Sequence, residues 1–428
     1  MNKKTVCSIA YGKGRIPLTL DHALAEWHII QPKDEPPLPD PRSAFMDACR
    51  NPIASPPLHK IIKPEDRVVI VTSDGTRPVP NYLLIPWILE ELPAPPENIT
   101  ILIGTGSHRP NTEDEIRAMF RATLPSGVTI LNHDAFDPAQ NVHIGVTAAG
   151  APVVLDKAYV NAGKRIVAGF IEPHFMAGYS GGPKGVIPGV AGIESIFHVH
   201  KYDLIAHPNS TWGIQQGNPL YQTIVDMVDL CPPDFLVNVT LNNDKQITGF
   251  FMGECHAAHQ AGCRHVREQA MVSVPHEFPV VITSNSGYPL DQNLYQSVKG
   301  LSASARIIQP GGTIFMASEC SDGVPAHGNF GAALQQHETV EDIDTWLHEL
   351  TSPLLDQWQV QLLVQILKRC TVKLYSRLAP ETANACKLSP ITDFQEAIHA
   401  CITSVGRGAP VAILPEGPIT IPVIDSTP

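Results

Sequence analysis

The chain has no Cys-x-x-Cys pair, no run of clustered lysines and arginines, and no charge-free apolar stretch long enough to span a bilayer. Each absence removes a class of protein. Nine cysteines, odd in number and scattered, suit the reduced thiols of a cytosol better than a disulfide framework. A net charge of -12 without a basic run argues against a dedicated nucleic-acid binder, whose phosphate contacts need clustered cations. A small anionic ligand held by a few local cations stays compatible with that charge. Lys13 and Arg15 interrupt any apolar segment of a secretory signal in "MNKKTVCSIAYGKGRIPL", and no run reaches the roughly 20 apolar residues of a membrane span. The expectation is a soluble, cytoplasmic protein with neither a membrane nor a nucleic-acid partner. Internal repeats and low-complexity segments are also missing, and the 40 prolines read as loop residues.

What is present is apolar material in quantity: 43% of residues are hydrophobic and 17% charged, a globular composition. At 428 residues the chain is too long for a comfortable single core, so two domains are expected. Short β-branched runs end in turn residues and are followed by helical stretches. In "DRVVIVTSDGTRPVP" a buried strand closes at Ser73 and Asp74. In "NITILIGTGSHRPNTEDEIRAMF" a strand leads to a helix opened by the capping box of Thr112 and Glu115. "KRIVAGFIEPH" repeats the pattern. Strand, polar turn and helix in that order predict an α/β protein with mainly parallel sheets. The prolines of "SVPHEFPVV" suggest a boundary, giving an N-terminal domain over 1–272, a C-terminal α/β domain over 273–405, and a tail, 406–428, returning to the first domain. Within the second domain, 353–369 reads as a long packed helix.

Ligands of open α/β sheets bind at the carboxyl ends of strands, and Asp74, Arg77, His108 and His174 all fall just after such ends. A second feature is "EPHFMAGYSGGPKGVIPGVAGIESIFHVH", which sets Lys184 in a turn dense in glycine and proline between Gly178 and Gly189. As a phosphate loop it fails twice: Pro183 replaces the last glycine and Gly185 the magnesium-binding hydroxyl. "GTGSHRP" lacks the third glycine of a dinucleotide fingerprint. A lysine presented on a rigid turn suits a covalent adduct, because a desolvated amine is a competent nucleophile. Histidine is both the usual base near neutral pH and the commonest metal ligand. Each of His108, His174, His198 and His200 also has an ordinary reading as a cap, core or surface residue. Cys255, His259 and Cys263 share a helical face; one helix cannot close a tetrahedral zinc site, so ordinary packing is expected there.

"SDGTRP", "GTGSHRP", "EPHFMAGYSGGPKGVIPG", "IFHVH" and "YPLDQNLYQSVKG", in this order, resemble the nickel-pincer lactate racemase family. The resemblance implies two α/β domains with the active site in the interdomain cleft. It implies a nickel-bearing pyridinium mononucleotide with two sulfur-containing arms, joined to Lys184 through a thioamide and completed by His200 as a nickel ligand. Proteins that synthesise this cofactor are implied as partners. His108 and His174 match the family's acid/base histidines: one takes the hydroxyl proton of a small 2-hydroxy acid while the α-hydrogen leaves as hydride. The planar 2-oxo acid then receives hydride on its other face. Arg77 and Lys299 match the cations that clamp the carboxylate, Asp74, Tyr295 and Gln296 orient the clamp or the substrate, and Trp358 covers a small side chain. Lactate is the first expectation and a larger 2-hydroxy acid the alternative. From other classes, a zinc hydrolase using His108, His174 and His200, or a noncatalytic cofactor carrier, are the competing readings; the first lacks an HExxH pair.

Overall fold

A computed structural model describes residues 4–121, 124–326 and 328–425, and it divides into two bodies that cut across the order of the sequence. One comprises Asp34–His200 and His207–Gln269; the other comprises Met1–Lys33, Lys201–Ala206 and Ala270–Pro428. The expected tail is thereby corrected. Ala409–Leu414 pairs in parallel with Phe278–Ser284 and with Ala25–Ile29, and Ile421–Ile424 pairs with Met271–Val274, so the C-terminal strands complete the second body and not the first. The same pairing carries the first 33 residues away from the domain expected over 1–272.

The body of residues 34–200 and 207–269 is built on a six-stranded sheet in the order Ile247–Gly253, Phe235–Leu241, Lys164–Phe170, Val68–Ser73, Ile99–Gly104 and Thr129–Asn132. All neighbours are parallel except the first two strands. Val68, Val69, Ile70 and Val71 are at most 2% exposed, which is why this strand is a continuous aliphatic run and not an alternating one. Each such side chain contributes about 1.5–3 kcal/mol by leaving water. Helices cover the sheet, among them Asn81–Glu91 and Glu113–Phe120, the latter opened by the expected capping box of Thr112 and Glu115. One core joins Phe45, Leu84, Ile88, Ile101 and Phe235. The chain runs outward from Val68–Ser73 through two strands on one side, then crosses to Lys164–Phe170 on the other. The strand order thus reverses beside Val68–Ser73, the topological position at which α/β sheets bind ligands.

In the other body a fully parallel sheet runs Ser389–Ile391, Thr371–Tyr375, Ile308–Ala317, Phe278–Ser284, Ala409–Leu414 and Ala25–Ile29. The hairpin of Lys4–Tyr11 and Gly14–Asp21 joins it, with Ile9 and Leu18 in a core shared with Ile282 and Phe315. Helix Leu294–Ser304 starts at Asn293, whose side chain accepts from the Gln296 amide at 3.0 Å. The long helix expected over 353–369 spans Gln357–Arg369. No helix among the described residues is long and apolar enough to cross a membrane.

Candidate active site

Three turns after neighbouring strands carry the candidate residues of the first body. Behind Val68–Ser73, a turn closes when the Arg77 amide donates to the Asp74 carbonyl at 3.2 Å. Asp74 is buried, and its two oxygens have separate donors: Thr76 Oγ1 donates to Oδ1 at 2.6 Å, and His108 Nδ1 lies 2.7 Å from Oδ2. Burial acts to raise the Asp74 pKa. The hydrogen bond and charge of His108, the charge of Arg77 and the bond from Thr76 outweigh it and hold the carboxyl below its usual range. An ionised carboxylate can only accept at Nδ1, which places the ring N–H there and the neutral imidazole's lone pair at Nε2, the arrangement of a general base. Asp74 thus orients His108, while the Arg77 guanidinium donates to Thr76 Oγ1 at 3.1 Å.

The lysine turn is held from beneath by residues far away in sequence. Gly182–Gly185 forms a short 3-10 turn, with a cis peptide following between Ile187 and Pro188. The Gly182 amide donates to the buried Asn238 side chain at 2.8 Å. His259 Nε2 donates to the Ser180 carbonyl at 2.8 Å, and Tyr221 hydroxyl donates to His259 Nδ1 at 3.2 Å. Gly106, in the turn carrying His108, donates to the Gly189 carbonyl at 2.9 Å and stitches the two turns together. Gly182 has a φ of 53° and lies against the His259 ring, so a Cβ there would be both strained and in collision. Gly182→Ala is expected to lower stability by about 2–4 kcal/mol, the sum of left-handed strain and overpacking. Urea unfolding measures it; an unchanged midpoint would show that the turn relaxes freely.

Burial, reinforced by the charge of Arg77, lowers the Lys184 pKa to about 8. At pH 7 roughly a tenth of such amines are neutral, about three hundred-fold more than for an ordinary lysine. His200 follows helix Ile193–Val199, and its Nδ1 donates to the Ile196 carbonyl at 2.7 Å, fixing the tautomer with the lone pair at Nε2. Burial lowers its pKa to about 4, against the opposing Ile196 bond and with help from the charge of Lys184, so the ring is neutral at pH 7. These electrostatic couplings link Asp74, Arg77, Lys184 and His200 into one neighbourhood. His174 sits on a two-residue ladder, paired with Gly178, that leads directly into the lysine turn. Its ring stacks on Phe175 at 4.6 Å.

In the other body Tyr295, Gln296 and Lys299 occupy the first turns of helix Leu294–Ser304. Trp358 is buried at the start of Gln357–Arg369, where its indole Nε1 donates to Tyr295 hydroxyl at 2.9 Å, and Gln359 donates to the Tyr295 carbonyl at 2.8 Å. Tyr295 is therefore gripped at both ends. The Gln296 side-chain oxygen is buried without a hydrogen-bond partner among the described residues, an acceptor that suits a bound group.

Sequence reasoning left out Thr76, Tyr221 and Asn238, and it treated His259 as ordinary packing. His259 is indeed a buried, hydrogen-bonded residue, but what it packs against is the lysine turn. Among the described residues, no three His, Cys, Asp or Glu side chains gather to hold a metal.

The chain was compared with known proteins. Residues 11–213 match the lactate racemase N-terminal domain and residues 274–423 the lactate racemase C-terminal domain. A lactate racemase of Lactiplantibacillus plantarum is 34% identical over 375 residues, covering 86% of this chain and 87% of that protein. One of Thermoanaerobacterium thermosaccharolyticum is 33% identical over 377 residues, covering 86% and 88%. The structure of the lactate racemase apoprotein from T. thermosaccharolyticum superposes with a TM-score of 0.91 at 31% identity, covering 98% of this chain and all of that one. A Thermotoga maritima protein shares the fold, with a TM-score of 0.69 at 14% identity over 92% of this chain and all of that one. Matches of this extent define an isomerase of the racemase class, and the chain belongs to the lactate racemase family.

Proposed function

We propose that the protein interconverts the enantiomers of a 2-hydroxy acid, with lactate as the first substrate, using a nickel-pincer nucleotide joined to Lys184. The observation that carries this proposal is the neighbourhood of a buried lysine of lowered pKa, a neutral histidine with its lone pair at Nε2, and an Asp74–His108 pair beside Arg77. The names of the two relatives supply the substrate. The residues fit the cofactor: Lys184 has the nucleophilicity that a thioamide link needs, and His200 is in the form a metal ligand needs. No cluster of protein ligands accompanies His200 among the described residues, which suits a metal whose other ligands come with the cofactor and disfavours a zinc hydrolase on His108, His174 and His200.

When bound, the cofactor supplies an acceptor and donor for the substrate's α-hydrogen with its electron pair. The protein's own residues do the rest. Arg77 and Lys299 bind the carboxylate, Arg77 as a planar fork and Lys299 as a point charge. His108 and His174 serve the substrate oxygen as acid/base groups, with Asp74 fixing the His108 ring. Tyr295, held by Trp358 and Gln359, fixes the substrate beside Gln296. The cytoplasm is the proposed location, with cofactor-synthesis proteins as the proposed partners.

Arg77→Ala is expected to raise KM for lactate about 100-fold, the size of one charge-assisted pair of ~3 kcal/mol, with a smaller change in kcat. The assay starts from enantiopure L- or D-lactate with cofactor-loaded protein and follows the other enantiomer on a chiral column. Loaded protein that leaves both enantiomers unchanged would refute the proposal.

A further inference from the structure

We infer that His133, paired with Asp156, is a positioning residue that sets the spacing between the turn carrying His108 and the segment joining the Lys184 turn to the His200 helix. The effect on catalysis rests on the racemase reading; the clamp itself does not.

His133 directly follows strand Thr129–Asn132 and is fully buried, with every polar group bonded. Its amide donates to the Ile103 carbonyl at 3.0 Å, and its carbonyl accepts from the hydroxyl of buried Thr105 at 2.7 Å. The Thr105 carbonyl in turn accepts from the His108 amide at 3.1 Å. The His133 backbone thereby fixes the base of the His108 turn. Its ring reaches the other way, with Nδ1 2.9 Å from Asp156 Oδ2 and Nε2 2.9 Å from the Ala191 carbonyl, on the stretch between Gly189 and helix Ile193–Val199. Asp156 grips the same stretch. Its amide donates to the Val190 carbonyl at 3.0 Å, Leu155 and Ala191 bridge antiparallel, and the Gly192 amide donates to the Val154 carbonyl at 2.9 Å. Asp156 Oδ1 accepts from the Ala158 amide at 2.8 Å, so both carboxylate oxygens are occupied.

A carboxylate and a carbonyl both accept, so the His133 ring donates from each nitrogen, as an imidazolium facing ionised Asp156. A charged pair out of water is costly unless both members stay bonded, so the segments it joins have little room to drift. A misplacement of about 1 Å at a reacting group can cost about 10²-fold in rate. The clamp keeps an acid/base histidine in register with the cofactor's tether and ligand.

Asp156→Asn separates the bonds from the charge. An amide there can accept from Ala158 through its oxygen and donate to His133 Nδ1 through its nitrogen, leaving Nε2–H on Ala191. His133→Gln beside the native Asp156 loses one link, because its amide oxygen would face an acceptor. The double variant His133→Gln with Asp156→Asn restores both: the glutamine nitrogen donates to Ala191 and its oxygen accepts from the asparagine.

The test begins with cofactor-free protein labelled with 15N-histidine, the His133 signals being those that His133→Gln removes. Long-range 15N–1H spectra are expected to show N–H on both ring nitrogens in the parent and on Nε2 alone in Asp156→Asn. His133→Gln is expected to move the ring signals of His108 and His200, while those of His22 and His337, in the other body, stay. In loaded enzyme, measured well below the unfolding midpoint, His133→Gln is expected to lower kcat per nickel-bearing chain about 10–10²-fold at unchanged KM. Asp156→Asn should stay close to the parent, and the double variant should recover most of the loss. A single ring N–H on His133 in the parent, a parent-like kcat in His133→Gln, or no recovery in a folded double variant would overturn the assignment. Should His133→Gln alone fail to fold, the double variant decides: parent-like kcat upholds the clamp, and a folded, inactive chain overturns it. Loaded parent enzyme without racemisation would instead sink the racemase reading and leave the clamp to be decided by the spectra.

Discussion

Lys184→Ala is expected to yield a folded protein that carries no adduct, loses nickel on gel filtration and shows no detectable racemisation. The fold should survive because the turn is set by its neighbours. Gly182 is anchored by Asn238, Ser180 by His259, and Gly189 by Gly106, none of which uses the lysine side chain. The burial that lowers the Lys184 pKa to about 8 is a cost to its charged form in the folded state. Alanine removes that cost, so the denaturation midpoint should stay level or rise. Circular dichroism and urea unfolding check the first point, intact mass and metal analysis the second. A variant that unfolds would mean that Lys184 is a structural residue. One that racemises normally would mean that the cofactor is held by other groups.

His108→Ala has the second largest expected effect. The variant should keep its adduct and its nickel, because the lysine turn is held by backbone bonds and His200 Nδ1 by the Ile196 carbonyl. It should lose kcat by about 10²–10⁴-fold, the range of a positioned acid or base, with little change in KM. Its removal also takes one donor from buried Asp74, leaving Thr76, and a stability loss of about 1–3 kcal/mol is expected from that. Asp74→Asn should reproduce most of the kinetic loss with His108 still present. Should kcat survive in both variants, the Asp74–His108 pair would be a structural bond and no part of the chemistry.

The residues that end strands were legible because the signal is local. Ser73 and Asp74 close a valine-rich run, Thr112 and Glu115 open a helix within four residues, and the spacing of the lysine turn is visible as glycine and proline. Partnerships across the chain were not legible. Asp74 and His108 are 34 residues apart, and nothing in either segment states that one carboxylate oxygen meets one ring nitrogen. His259 lies 79 residues from the Ser180 carbonyl it supports, and its helix has the look of ordinary packing because it does pack. The division of the chain was misjudged for the same reason: whether the edge of a parallel sheet is completed by Ala25–Ile29 and Ala409–Leu414 depends on long-range pairing, while the sequence around each strand reads alike in either body.

The most direct measurement is the intact mass and nickel content of the protein made in a host that synthesises the pincer cofactor and is shown to load a known relative. The expected result is a mass increase that peptide mapping places on Lys184, with about one nickel per chain, as a single histidine ligand completing a cofactor-borne set implies. An unmodified mass, with zinc or no metal, would contradict the assignment of Lys184 and His200 at its root.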